Sequence, residues 1–219
     1  MTAENITEAD LALIQGFSGA SFEEVTNNIR RLVDVHSSSK LENFKAVIND
    51  MKLKGITDQN NNAKQGMYWT IRDIANNQTE DLIGKTLKFE FPVPNSRPTN
   101  QNSRIDVFCS DCDPILRIEH KSGTGSISSS NILSQFIERD LFGATSLDQI
   151  QWRMDGTEFS SSKLKDYMKS KLTELNDVKF NNPDANTKLS SWFETSTSLP
   201  ITDSHINKFV NSHYSSIFK

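Results

Sequence analysis

The sequence predicts an α/β (α+β) fold, with a mixed sheet of about four to five strands flanked by helices and extra helices at both ends. Apolar residues recur at helical spacing before residue 77 and again after residue 130. Between residues 86 and 121 the pattern changes to the alternation typical of half-buried strands. A further strand is predicted after the helix that follows. With 219 residues, the chain has room for one domain with a helical attachment.

The N-terminal 60 residues form the predicted helical region. A short helix and a glycine-containing turn occupy residues 1–20. Ser21 is a predicted N-cap, and Glu24 stands where a capping box needs its acid. A second amphipathic helix is predicted from Leu41 to near Gly55, and the polar run at residues 58–62 is a predicted loop or linker.

The remaining residues, 61–219, form the second predicted region, with a core at 64–156 and a C-terminal helical extension at 157–219. A third helix is predicted over residues 64–77. Strands at 86–94, 104–109 and 115–121, with short connections, predict an antiparallel meander. A Gly/Ser-rich segment and a helix from Asn131 come next, and residues 148–154 are the fourth predicted strand. Helices are predicted at 160–176, 189–193 and 203–218.

Composition excludes few functions. The chain is 35% hydrophobic and has a net charge of −4, which argues against a protein that coats nucleic acid through phosphate contacts. The negative net charge argues less strongly against a nuclease, because bound metal offsets the charge of its carboxylates. No run approaches the roughly 20 apolar residues of a membrane span, and no signal peptide is visible, although delivery by a larger carrier stays open.

The two cysteines, Cys109 and Cys112, are spaced as a redox pair or as half of a zinc site. Zinc needs two more ligands, and the four histidines include no pair at helical ligand spacing. We therefore expect two reduced thiols near the end of a strand.

Three charged residues carry the chemistry that the sequence indicates. Asp106 lies within the predicted second strand, while Glu119 and Lys121 stand two apart on the third and therefore face the same side. Paired carboxylates bind Mg²⁺ or Mn²⁺, and the carbonyl of His120 is a further candidate oxygen ligand. A metal-bound water attacks phosphorus more readily, and Lys121 can stabilise the developing charge.

The alternative is a solvated face, with Ile118 and His120 pointing inward. A bare Glu-X-Lys pattern favours that alternative. The upstream strand aspartate, the Ser-Gly pair after Lys121, and a following helix that contains Gln135 shift the balance towards a site.

Residues 103–107 (SRIDV), followed by 118–123 (IEHKSG), resemble the signature of PD-(D/E)XK nucleases. The most similar subgroup is the nuclease domains of bacterial polymorphic toxins, including contact-dependent growth-inhibition toxins. The resemblance covers roughly residues 64–156 and implies a restriction-endonuclease-like core. It implies metal ligation by Asp106 and Glu119, catalysis by Lys121, and a helix residue, Gln135, that faces the site. An extra acid often precedes the first strand, and here Glu80 is preferred over Asp73.

Four basic residues are candidates for contacts with nucleic acid. The alternative, which is commoner for such residues, is that they are simply exposed to solvent. They are Lys88, Arg104, Arg139 and Arg153. Trp69 and Trp152 are expected in the core rather than in base stacking.

The sequence therefore predicts a metal-dependent endonuclease, with DNA favoured over RNA. The resemblance implies an interbacterial toxin that is secreted or carried into a target-cell cytoplasm and neutralised by a cognate immunity protein. Two alternatives stay open: a cytoplasmic restriction- or defence-type endonuclease, and a non-catalytic interaction module that keeps the fold.

Overall fold

The computed structural model describes residues 6–14, 21–36, 38–53, 58–76, 82–97, 103–122, 127–156 and 158–219. It divides the chain into two compact units. The first comprises Met1–Phe91 and Ile105–Ser122, and the second comprises Pro92–Arg104 and Gly123–Lys219. The division does not fall near residue 60, because the N-terminal helices belong to the same unit as the first strands.

Four helices of the first unit are α1 (Glu8–Ala12), α2 (Phe22–Val35), α3 (Phe44–Leu53) and α4 (Asp58–Asn76). Ser21 caps α2 as predicted, because its hydroxyl accepts the backbone N–H of Glu24 at 3.1 Å. The Glu24 carboxylate accepts the Tyr68 hydroxyl at 2.7 Å. This hydrogen bond links α2 to α4.

Two predictions for this region are wrong. Leu41 and Glu42 form a short strand, β1 (Leu41–Glu42), and not the start of a helix. Asn43, at φ 61°, turns the chain between β1 and α3. Residues 58–62 are the first turns of α4 and not a linker, because a polar run can continue a helix whose later turns pack against the protein.

The strands of the first unit are β1, β2 (Leu87–Pro92), β3 (Arg104–Cys109) and β4 (Leu116–Ser122), in the order β1-β2-β3-β4. β1 runs parallel to β2, and β3 runs antiparallel to β4. The predicted mixed sheet and α+β class are therefore confirmed.

One face of these strands joins the apolar core of the first unit. Leu87 and Phe89 of β2, Val107 of β3 and Ile118 of β4 are all buried in it. Helix α4 packs against β4. Since side chains alternate along a strand, the residues next to Val107 and Ile118 point to the other face.

A disulfide joins Cys109 to Cys112 in the turn between β3 and β4. The expectation of two reduced thiols is therefore wrong. Asp111, inside the same turn, accepts the backbone N–H of Thr86 at 2.8 Å and its hydroxyl at 3.0 Å. The turn is thus attached to the residue that precedes β2.

The second unit begins its helical part with α5 (Ser129–Asn131) and a π-helix (Ile132–Leu141), followed by β5 (Ile150–Asp155). Four helices complete it: α6 (Ser161–Ser170), α7 (Leu172–Asn181), α8 (Pro183–Trp192) and α9 (Asp203–Ile217). The predicted helix at 160–176 is thus two helices that meet at Lys171. Trp152 lies at 0% exposure in the apolar core of this unit, as expected.

No helix in the described ranges is both long enough and apolar enough to cross a membrane, which agrees with the prediction of no membrane span.

Candidate active site

The three predicted site residues lie on the face of β3 and β4 that points away from the apolar core. Val107 and Ile118 are opposite each other and buried in that core. Asp106 precedes Val107, and Glu119 follows Ile118, so both carboxylates point to the opposite face. Lys121, two residues beyond Glu119, shares it. The structure therefore brings Asp106, Glu119 and Lys121 to one surface of the first unit.

Asp106 contacts the backbone of β4 directly. Its Oδ2 accepts the N–H of His120 at 2.7 Å, just beyond the last paired positions, Val107 and Ile118. The Asp106 side chain keeps 27% exposure. It is the more accessible of the two carboxylates.

Glu119 and Lys121 form a close ion pair. The Lys121 Nζ donates to Glu119 Oε1 at 2.6 Å, and the two side chains are only 8% and 6% exposed, respectively. Burial of both charges is costly unless they are paired. The amine is therefore held beside the carboxylate.

The surroundings of Asp106 disfavour the charged form of its carboxyl group. Burial of its carboxyl group raises its pKa well above the ordinary value, and the negative charge of Glu119 raises the pKa further. Lys121 and the N–H of His120 act in the opposite direction, but they do not balance these effects. A site with two acids that repel each other favours a bound cation.

Sequence reasoning missed two charged residues near this surface. The charge of Glu90 on β2 also raises the pKa of Asp106. Arg117 is buried on β4 and pairs in register with Phe108. It is two residues before Glu119, so it lies on the same face. The alternation of LRIEHK could have revealed Arg117, whereas nothing local marked Glu90.

The His120 side chain points to the core side, towards α4. Its ring is fully buried, and Nε2 lies 2.8 Å from Asp73 Oδ2. The half-buried Trp69 ring meets it edge-on at 6.2 Å. Asp73, the alternative extra acid, is therefore paired with the His120 ring, whose other nitrogen, Nδ1, lies 4.0 Å from Asp106 Oδ2. Glu80, the preferred candidate, lies outside the described residues.

The other predicted residues are distributed over both units. Gln135 is half-buried on the π-helix of the second unit. Lys88, on β2, forms an ion pair with Glu42 at 3.1 Å, and Arg104 is exposed at the start of β3. Arg153 donates to Gln151 on its own strand.

Arg139 is buried in the second unit, where its guanidinium is held by hydrogen bonds to other residues of that unit. Its Nε donates to Asp140 Oδ1 at 2.7 Å and its Nη2 to Oδ2 at 3.0 Å. Its Nη1 donates to the carbonyl of Arg104 at 2.6 Å. These three hydrogen bonds occupy the guanidinium within the second unit.

The donor set on the polar face fits a hard divalent cation. No cluster of three or more acidic, histidine or cysteine side chains suited to a metal occurs in the described ranges. Mg²⁺ needs fewer, because it is commonly held by one or two carboxylates and keeps several waters. Asp106 and Glu119 supply two such carboxylates.

Comparisons with known proteins return no relative. No protein-family model matches the chain, and neither a curated protein nor a solved structure matches it.

Proposed function

We propose that the chain is a divalent-metal-dependent phosphodiesterase that hydrolyses nucleic acid, with DNA favoured over RNA. The convergence of Asp106, Glu119 and Lys121 on one strand face is the observation that carries this proposal. The order of these residues along β3 and β4, which resembles that of PD-(D/E)XK nucleases, supports it. Fold resemblance alone would not suffice, because function depends on the site.

The mechanism assigns a separate task to each residue. Asp106 and Glu119 would hold Mg²⁺ or Mn²⁺, together with the His120 carbonyl. When bound, the cation supplies a more acidic water and offsets charge on the phosphate oxygens. Lys121, fixed 2.6 Å from Glu119, would stabilise the charge that develops on the phosphate. The N–H of His120 holds Asp106 in place.

The test is cleavage of plasmid DNA, of single-stranded DNA and of total RNA by the purified chain in Mg²⁺ or Mn²⁺ and then in EDTA. We expect metal-dependent cleavage that falls at least about 100-fold in Asp106→Asn, Glu119→Gln and Lys121→Ala. Asp34→Asn, on an exposed position of α2, is the matched control and should cleave normally. Intact nucleic acid under every condition would overturn the proposal and favour the non-catalytic interaction module.

We propose further that the chain is an interbacterial toxin domain blocked by an immunity protein. The resemblance to toxin nuclease domains supports this role. Expression of the chain in bacteria should arrest growth, and Asp106→Asn should abolish the arrest. Rescue by the product of a small neighbouring gene would support the toxin role, whereas cleavage without growth arrest would favour a restriction- or defence-type enzyme.

A further inference from the structure

Two phenylalanine rings stack on the same strand face as the proposed metal ligands. The rings of Phe91 and Phe108 lie 4.5 Å apart between centroids and are nearly parallel, with an interplanar angle of 9°. Phe108 is two residues after Asp106 on β3 and therefore points to the same side. An aromatic pair thus stands beside the two carboxylates.

This pair is distinct from the core of the first unit. Neither ring belongs to the apolar cluster formed by the described residues of that unit, and both rings are partly exposed. Most other large apolar residues of β2, β3 and β4 point to the core face and are buried there. The Phe91–Phe108 pair therefore presents apolar, aromatic surface next to charged residues.

Phe91 reaches this face through an unusual backbone conformation. In a regular strand, residues 88 and 91 point to opposite faces, yet the Lys88 Nζ lies 5.6 Å from the centre of the Phe91 ring. Glu90, between them, has φ 49°, a left-handed conformation that is unfavourable for residues other than glycine. Such strain persists where the surrounding structure imposes it, and it often marks a functional position.

Two basic side chains adjoin the pair, the partly exposed Lys88 and the buried Arg117, beside the carboxylates of the proposed metal site. Lys88 is 25% exposed next to Phe91, and Arg117 is the cross-strand partner of Phe108. Lys121 lies further along β4, beyond Glu119. Aromatic rings bordered by basic side chains are the combination by which proteins bind single-stranded nucleic acid, with bases on the rings and phosphates on the cations.

We propose that the Phe91–Phe108 pair is a stacking platform for an unpaired nucleobase, so that the substrate is single-stranded DNA or RNA or an unpaired segment. This inference rests on the proposed nuclease function and deepens it. A base on Phe108 would sit two residues from Asp106, which places the adjoining phosphate near the carboxylates. A paired base cannot offer its face to the rings unless it leaves the helix.

The test is binding of fluorescently labelled oligonucleotides by the full chain in EDTA, measured by anisotropy. The probes are a 12-nucleotide DNA strand, its RNA counterpart and the blunt DNA duplex. We expect the wild type to prefer a single strand to the duplex. Phe108→Leu and Phe91→Leu should each weaken single-strand binding by about tenfold, with little effect on the duplex.

Matched variants separate stacking from folding. Phe22→Leu replaces an exposed phenylalanine at the start of α2 and should bind as the wild type does. Phe108→Trp keeps a stacking surface and should retain single-strand affinity, so it remains informative if the leucine variants fail to fold. The relative affinities for the DNA and RNA strands identify the sugar.

The platform would be overturned if both leucine variants bound the single strand with wild-type affinity, or if the wild type preferred the duplex. It would also be overturned if Phe22→Leu lost as much single-strand affinity as they do, or if Phe108→Trp lost affinity. The two proposals fail separately. Aromatic-dependent binding without metal-dependent cleavage removes the nuclease and keeps the platform. Cleavage lost in Asp106→Asn, but with binding unchanged in both leucine variants, keeps the nuclease and removes the platform.

Discussion

Both units bury charged side chains, but they balance them differently. In the second unit, Arg139 binds both oxygens of Asp140, and the Trp152 indole donates to the same carboxylate at 2.8 Å. In the first unit, Lys121 pairs with Glu119, while the nearby Asp106 is left with a pKa raised by burial and by that second acid.

The difference separates structural charges from charges suited to ligand binding. A buried pair that is saturated by hydrogen bonds holds its surroundings in place and gains little from a ligand. An excess of acid on a buried surface is unfavourable in the free protein and becomes favourable when a cation binds. The two clusters should therefore respond differently to removal of a charge.

The largest difference is expected in stability. Asp140→Asn should lower the free energy of unfolding by about 3–5 kcal/mol, because it leaves the Arg139 charge buried and uncompensated. Asp106→Asn should change it by less than about 1 kcal/mol or raise it, because the repulsion from Glu119 disappears. Urea denaturation measures both. Equal losses in the two variants would show that the clusters have the same structural role.

The disulfide provides the next largest effect. Replacing Cys109 and Cys112 with serine should lower the free energy of unfolding by about 2 kcal/mol, since the bond closes only a short loop. Because the turn also binds Thr86 through Asp111, the fold should survive. Denaturation of the double variant without reductant measures the loss. A loss of twice that size would mean that the turn determines the pairing of β3 with β4.

Glu138 is an acid of the second unit whose pKa is raised by burial although Arg97 pairs with it. Its side chain is 1% exposed and lies 2.6 Å from the partly exposed Arg97. Burial raises its pKa to about 6. At this group the folded state then binds more protons than the unfolded state, so the contribution of Glu138 to stability is most favourable below about pH 4.5 and falls as the pH rises towards about 6.

The Glu138 contribution to this fall is about 2 kcal/mol. Glu138→Gln should therefore gain stability relative to the wild type by about that amount between pH 4.5 and 7. Paired urea titrations at the two pH values measure it. A difference between the two proteins that is independent of pH would contradict the assigned pKa.

The smallest effects concern two glutamates with left-handed backbone. Glu90 has φ 49° in the first unit, and Glu194 has φ 51° just after α8 in the second. Glycine at either position should raise the free energy of unfolding by about 0.5–1 kcal/mol, because it removes the steric cost. Only Glu90→Gly should also weaken single-strand binding, since it loosens the position of Phe91. Equal effects of both variants on binding would contradict that assignment.

Local periodicity predicted β2, β3, β4 and β5 and the shared face of Asp106, Glu119 and Lys121, because side-chain alternation depends only on neighbouring residues. It missed β1, which is only two residues long. It did not predict that Phe91 points to the same face as Lys88. The left-handed conformation of Glu90 causes this change, and no glycine marks it in the sequence because the surrounding sheet imposes it. The Cys109–Cys112 bond was missed because CxxC spacing alone does not determine the oxidation state. Asp73 and His120 pair over 47 positions along the chain, a distance that no local pattern encodes.

The proposed metal site is measured by isothermal titration calorimetry with Mn²⁺. The proteins compared are the wild type, Asp106→Asn, Glu119→Gln and Asp34→Asn. We expect one Mn²⁺ site in the wild type and in Asp34→Asn, and loss of that site in Asp106→Asn and Glu119→Gln. Absence of binding in the wild type, or binding that survives both Asp106→Asn and Glu119→Gln, would contradict it.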